Sequence, residues 1–228
     1  MSVATAALPI DPTFKTKVSK AGALMSITET ELPSAEAFQP PHDSSRFLVS
    51  SPYTEQDHLL DLDTLDAENR LLALALTRMR NTRRDYSTAP YIESFNWTEV
   101  LDSLKSLAQT EGHEWKETSF YIVAFRSQIP PSTVYAELGA LDERAHAEAN
   151  ASGGFLKYWF GEPNAEGRNL ATCVWRSKED ARLGNVGPAH RKAANATRRL
   201  YTSWGIDRHR LIVRDDIKSW DIIDWVDE

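Results

Sequence analysis

The sequence predicts an α+β domain over residues 119–216, and three observations support this fold class. Four short runs in this region are rich in β-branched and aromatic residues, which is typical of strands. Two stretches carry apolar residues at helical spacing, one after the first run and one after the third. Glycines and prolines separate the segments, as they do at turns. The predicted order is therefore β, α, β, β, α, β.

The first three elements have clear boundaries. Residues 119–125 form an apolar strand that Pro130 and Pro131 stop. A helix is predicted over residues 133–149, and Gly153 with Gly154 ends it and turns the chain. Residues 155–160 then form the second strand.

The next elements are a hairpin and a short helix. Residues 161–167 form the hairpin loop, and residues 169–175 form the third strand. Ser177 with Asp180 predicts a capping box, which opens a short helix that Gly184 closes.

The last part of the domain is a longer helix and a strand. Pro188 suits a first helical position, and the helix is predicted to run to about Trp204, where Gly205 ends it. Residues 209–213 are the fourth strand. Right-handed crossovers fold this order into a ferredoxin-like, four-stranded antiparallel sheet with both helices on one face.

The rest of the chain is predicted to form three further regions. Residues 1–45 have no sustained period and are expected to be a disordered arm. Residues 46–117 form a helical extension, in which residues 46–49 can pair with a sheet edge. Its two helices cover residues 65–79 and a stretch that Asn96 caps together with Glu99.

The third region is a Trp-rich C-terminal tail, residues 217–228. Its apolar residues alternate with acids, so we expect it to dock on its own chain or on a neighbouring subunit.

Composition narrows the function. The net charge of -7 argues against non-specific binding of nucleic acid, which needs a basic surface. The longest apolar run, residues 71–76, is far shorter than the roughly 20 residues of a membrane span. The single cysteine, Cys173, cannot form an internal disulfide, and its apolar surroundings predict an inert thiol. We therefore expect a cytoplasmic protein with neither membrane nor nucleic-acid partners.

The segment after the third strand carries a resemblance to a known superfamily. Trp175 and Ser177 end the strand, Glu179 and Asp180 open the short helix, and His190 follows. This pattern resembles the dimeric α/β-barrel superfamily, which includes antibiotic-biosynthesis-type monooxygenases. The resemblance implies a homodimer and an oxygenase or isomerase that acts on an aromatic or polyketide-like substrate.

Haem-degrading members of that superfamily use an asparagine on the first strand, where this chain has none, so no cofactor is predicted. The whole chain also resembles a fungal protein family, on residues 83–91, 95–97 and 175–190. This second resemblance implies no chemistry.

His190 is the predicted catalytic acid or base. At position N2 or N3 of its helix, the positive end of the helix dipole and Arg191 are expected to lower its pKa and favour the neutral imidazole. The alternative is a structural histidine that bonds the loop at residues 184–187.

A ligand cavity is expected between the sheet and its helices, for a small hydrophobic or aromatic molecule. The predicted substrate-binding residues are Tyr121, Tyr158, Trp175, Arg182 and Arg191. Aromatic core packing is the alternative for the three aromatic residues. Four further histidines, His42, His58, His113 and His146, are interpreted as solvated surface groups. The alternative function is a non-catalytic binding or assembly protein.

Overall fold

A computed structural model describes residues 46–227. The arm predicted at residues 1–45 lies outside the described residues. The strands are β1 Phe47–Leu48, β2 Leu60–Asp61, β3 Thr118–Gln128, β4 Phe155–Phe160, β5 Arg168–Trp175, β6 Ser203–Val213 and β7 Trp220–Asp224. The helices are α1 Ala67–Ala75, α2 Tyr91–Ser94, α3 Trp97–Glu111, α4 Tyr135–Ser152, α5 Lys178–Gly184 and α6 Pro188–Leu200.

The main sheet has five strands in the order β4-β5-β3-β6-β7, and all its pairings are antiparallel. Its first four strands have the predicted ferredoxin-like order, which confirms the fold class. The fifth strand corrects the prediction of four. A 3-10 turn, Asp215–Ile217, has positive φ angles of 57° at Asp216 and 53° at Ile217. This turn reverses the chain, so the C-terminal tail pairs with β6 of its own chain.

Strand β6 is longer than predicted, because it begins at Ser203 rather than at His209. Helix α6 ends at Leu200, and Tyr201 is already extended, with φ -123° and ψ 141°. The eleven residues of β3 offer a long edge, and β6 pairs along all of it, from Gln128 opposite Ser203 onwards. Gly205 therefore lies inside a strand and does not end a helix.

Helices cover both faces of the sheet. On one face, Phe120, Ile122 and Ala124 of β3 belong to a large core shared with α1 and α3. On the other face, Tyr121 of β3 and Trp175 of β5 pack against α4 and α5. Because side chains alternate along a strand, one strand serves both cores. The helices α4, α5 and α6 follow the predicted layout, and the N-terminal extension supplies the second cover.

The N-terminal extension is held by polar contacts at its turns. Helix α1 is shorter than the predicted helix, and a 3-10 turn, Leu76–Arg78, follows it. The capping box expected at Asn96 does not cap α3. The Asn96 Oδ1 instead accepts a hydrogen bond from the Arg80 amide at 2.8 Å, and its Nδ2 donates to the Arg78 carbonyl at 3.0 Å.

Two other local predictions can be compared with the structure. Ser177 caps α5 as expected, because its hydroxyl accepts from the Asp180 amide at 3.1 Å. Strand β1 pairs with β2 instead of the main sheet. A few residues later, the Ser50 carbonyl accepts from the Tyr158 amide at 3.0 Å and closes part of the outer edge of β4. Within residues 46–227, no helix is long and apolar enough to cross a membrane.

Candidate functional site

The sheet face under α4 and α6 is divided into two ends. We call the end at Tyr121, Phe155 and Trp175 the closed end, because these side chains are buried with Ala149 and Ala181. Further along the same strands, the side chains are only half-buried, and we call this the open end. It is lined by Val123, Phe125, Tyr158, Cys173 and Tyr201.

Helix α6 explains the difference between the two ends. Its single buried residue in the described structure is Leu200, so most of the helix stands away from the sheet. The α4 helix contributes Leu141, Ala145 and Ala149 to buried packing. The open end therefore keeps aromatic side chains partly accessible beneath the two helices.

A buried carboxylate lies at the open end. The Asp142 side chain accepts hydrogen bonds from two tyrosine hydroxyls, from Tyr53 to Oδ2 and from Tyr158 to Oδ1, each at 2.5 Å. Asp142 as a residue is half-buried, but its carboxylate is enclosed. Desolvation is the largest influence on it and raises the pKa of Asp142, although the two hydroxyls and His190 oppose the rise.

Two histidines pack against the tyrosines that bond this carboxylate. The Nδ1 atoms of His58 and His146 lie 2.7 Å apart, so one ring donates its proton to the other. Both side chains are 3% exposed, which overturns the prediction that they are solvated surface groups. Burial, followed by repulsion from His58 and His190, lowers the pKa of His146 to about 3. His146 is therefore neutral at physiological pH, and its Nε2 has no hydrogen-bond partner within residues 46–227.

His190 is at position N3 of α6, as the sequence predicts. Its pKa is lowered, and the main cause is burial rather than the expected helix dipole and Arg191. The Nδ1 atom lies 3.4 Å from Glu148 Oε1, close enough for attraction but without hydrogen-bond geometry. The Nε2 atom has no partner among the described residues. The neutral ring therefore has a nitrogen free to take a proton.

Helix α6 is capped from another helix. Glu148 of α4 accepts hydrogen bonds from the amides of Ala189 at 2.9 Å and His190 at 3.1 Å. Burial opposes the ionisation of Glu148, but these amides and the His190 ring outweigh it and lower the pKa of that carboxyl. Gly187 makes room for this contact, because a Cβ there would lie 2.0 Å from Glu148 Oε1. The predicted alternative, in which His190 bonds the loop at residues 184–187, is not seen; Glu148 holds this end of the helix instead.

The other predicted site residues are spread out. Tyr158 lies at the open end with His190 nearby, whereas Tyr121 and Trp175 pack in the closed end, 4% and 1% exposed. Arg182 is exposed and pairs with Glu179 of its own helix at 2.7 Å. Arg191 is exposed and donates to the Val186 carbonyl. Their roles as ligand contacts stay predictions.

Cys173 behaves as expected of an inert thiol. Burial raises its pKa to about 12, and its sulfur accepts from the Trp175 indole at 3.0 Å. Sequence reasoning missed Tyr53, Asp142 and the His58–His146 pair. One signal was available for the last: Asp142, His146 and Asn150 recur every four residues on α4, so they form a polar stripe on one helix face. Nothing in the sequence indicates that residues 53–58 cover that stripe.

A second concave region lies on the opposite sheet face, between residues 88–92 and strands β6 and β7. It is an open cleft of about 610 Å³. His209 stacks on Tyr91 there, with ring centroids 4.7 Å apart, and its Nδ1 bonds Asp224 at 3.1 Å. Arg126 is fully engaged with Asp207 and with backbone carbonyls of residues 86–89. This cleft is therefore braced by internal contacts, although the buried His209 Nε2 has no hydrogen-bond partner among the described residues. Unlike the open end, it has no enclosed carboxylate, because the Asp207 and Asp224 side chains are 45% and 90% exposed.

Comparison with known proteins places the chain in a family. The model of the family described as PB2B2.08-like matches residues 49–224. The chain belongs to this family. UPF0643 protein PB2B2.08 of Schizosaccharomyces pombe is 40% identical over 183 residues, covering 77% of this chain and 83% of the relative. The resemblance to a fungal family is thereby confirmed for this PB2B2.08-like chain.

Solved structures share the ferredoxin-like part of the fold. SnoaB from Streptomyces nogalater, a cofactor-independent oxygenase, is 20% identical, with 39% of this chain and 90% of SnoaB covered and a TM-score of 0.32. Rv0793 from Mycobacterium tuberculosis is 17% identical, with 49% and 98% covered and a TM-score of 0.34. These likenesses concern the fold alone. Among residues 46–227, no three His, Cys, Asp or Glu side chains are placed to hold a metal ion.

Proposed function

We propose that this PB2B2.08-like chain is a small-molecule enzyme that removes an acidic proton from an aromatic or polyketide-like substrate at the open end. Oxygenation or isomerisation would follow from the resulting carbanion or phenolate. The observation that carries the proposal is the enclosed Asp142 carboxylate, held by two tyrosine hydroxyls at the partly open end of an aromatic sheet face. A carboxylate with a raised pKa in such a place is a common feature of acid–base sites.

The residues divide the proton transfer between them. His190 is neutral and has a free Nε2, so it takes the substrate proton and becomes an imidazolium. The negative charge of Asp142 favours that imidazolium, since the two groups interact electrostatically. The Tyr158 hydroxyl, now bonded to Asp142, turns to donate to the oxygen on which negative charge develops.

The lining of the open end supports an aromatic substrate. Phe125 packs edge-to-face with Tyr201, with ring centroids 5.4 Å apart, and stacks with Trp204 at 5.9 Å. These half-exposed rings present flat apolar surfaces, on which an aromatic ring gains contact at little entropic cost. Arg182 and Arg191 are proposed as outer contacts for a polar substituent of the substrate. We expect the reaction to take place in the cytoplasm.

The test uses anthrone, whose methylene group is acidic because loss of a proton gives a fully aromatic anthracenolate anion. In D₂O without oxygen, the enzyme exchanges this proton, and NMR measures the rate. With oxygen, anthrone and O₂ give anthraquinone and water, which absorbance follows. His190→Gln is expected to slow the exchange by about 100-fold, the usual contribution of a general base. Lys192→Gln, a change at an exposed position of the same helix, should leave it nearly unaltered. Exchange at equal rates with His190→Gln and the unaltered chain would contradict the role of His190.

One observation favours the alternative of a non-catalytic binding or assembly protein. The region around the open end exposes large apolar side chains, including Val134 at 60%, Trp204 at 50% and Ile206 at 43%. A homodimer that buries these side chains is proposed on this basis. Two copies would not pair sheet against sheet, because helices of the same chain cover both sheet faces. Light scattering tests the dimer. Tight anthrone binding without proton exchange would favour the binding role.

A further inference from the structure

Lys157 is an unusual lysine in the middle of β4. The register shifts there, so that Phe155 lies opposite Trp175 while Lys157 already lies opposite Val174. This β-bulge turns Lys157 toward the same face as Val174, which is the large core under α1 and α3. Only 8% of Lys157 is exposed.

The Lys157 ammonium has no counter-ion in the part of the chain that the structure describes. Among residues 46–227 it makes no ion pair or side-chain hydrogen bond, whereas Lys116, Lys178 and Lys218 each pair with a carboxylate. Burial alone lowers the pKa of Lys157 to about 8. An unpaired ammonium is costly to bury, so a neutral amine suits this position better.

The Nζ atom is nevertheless reachable. It lacks a hydrogen-bond partner among the described residues but is not fully buried, so it retains some contact with solvent. Strand β4 is the edge strand of the sheet, and the Ser50 carbonyl is bonded to the next residue, Tyr158. The amine therefore lies in an apolar setting near the sheet edge, and no carboxylate of residues 46–227 is paired with it.

We propose that Lys157 is a covalent binding site for small uncharged aldehydes. The neutral amine adds to the carbonyl carbon, and both of its N–H protons pass to the carbonyl oxygen, which leaves as water to give an imine. No oxidant or further reactant is needed for this step. The site lies on the sheet face opposite the open end, so it is independent of the proposed proton transfer.

The test uses propanal with sodium cyanoborohydride, which adds hydride to the imine and fixes it as a propylamine. The full chain is treated briefly near neutral pH and digested, and mass spectrometry gives the rate at each lysine. Lys157 is expected to react at least about tenfold faster than exposed Lys105 and Lys192, because far more of its amine is unprotonated. In urea the three rates should become equal, since unfolding removes the apolar setting.

A pH series distinguishes this site from simple accessibility. The rate at Lys157 should level off above about pH 8, while the rates at Lys105 and Lys192 continue to rise. A rate at Lys157 equal to or below that of Lys105 in the folded chain would overturn the proposal. Because this measurement needs no substituted protein, it does not depend on whether a variant folds. Its failure would leave the anthrone result unaffected.

Discussion

Lys157→Met is expected to stabilise the protein at neutral pH. Methionine keeps the unbranched apolar stem of lysine and removes the amine that has to be desolvated. The pKa of Lys157 falls from 10.5 to about 8 on folding. Each pKa unit corresponds to about 1.4 kcal/mol, so the buried ammonium costs the folded state about 3 kcal/mol where both states are protonated. The variant should gain up to about that amount near pH 7.

The sign of the pH dependence follows from the same shift. Below about pH 8, Lys157 is protonated in both states and the full cost applies. Between about pH 8 and 10.5, the unfolded chain binds more protons, so the unsubstituted protein gains stability as pH rises. The advantage of Lys157→Met should therefore shrink across this range.

Urea unfolding of both proteins, followed by tryptophan fluorescence between about pH 7 and 10, measures the difference. Lys105→Met is the matched control, because Lys105 is exposed on α3 and such changes usually alter stability by less than about 0.5 kcal/mol. The reasoning would be refuted if Lys157→Met were less stable than the unsubstituted protein near pH 7. An advantage that did not change with pH would refute it equally.

Two further predictions concern the candidate site. Tyr158→Phe removes a hydrogen bond to the Asp142 carboxylate and should lower the free energy of unfolding by about 1.5–3 kcal/mol. Tyr86→Phe is the control: it loses a hydrogen bond to a neutral carbonyl and should lower that free energy by about 0.5–1.5 kcal/mol. Because the pKa of Asp142 is raised, its ionisation destabilises the fold as pH rises. In urea titrations, the stability lost in Tyr158→Phe should therefore grow with pH, while the loss in Tyr86→Phe stays constant. The opposite pattern would contradict the enclosed carboxylate. Gly187→Ala should displace Glu148 from the start of α6 and cost about 1–2 kcal/mol in thermal unfolding, and an unchanged stability would show that the cap is unimportant.

The site was harder to predict than the fold because its parts come from separate regions. His190 was identified from its place at a helix start, and that place needs only local sequence. Tyr53 and Asp142 are 89 positions apart, and their hydrogen bond depends on how residues 53–58 cross α4. Histidines beside charged residues look solvated in sequence, yet His58 and His146 are buried against each other. The bulge that buries Lys157 likewise has no local sign.

The sequence by itself determined the βαββαβ order, most of its turns and the alternation of side chains along β3. These features depend on local backbone preferences and on side-chain period, which neighbouring residues fix. The tertiary structure alone decided that the C-terminal tail is a fifth strand, that the extension covers the second face, and that Asp142 is enclosed by two tyrosines. Burial and long-range pairing set these outcomes, since the free energy of a charge depends on which distant groups exclude water from it.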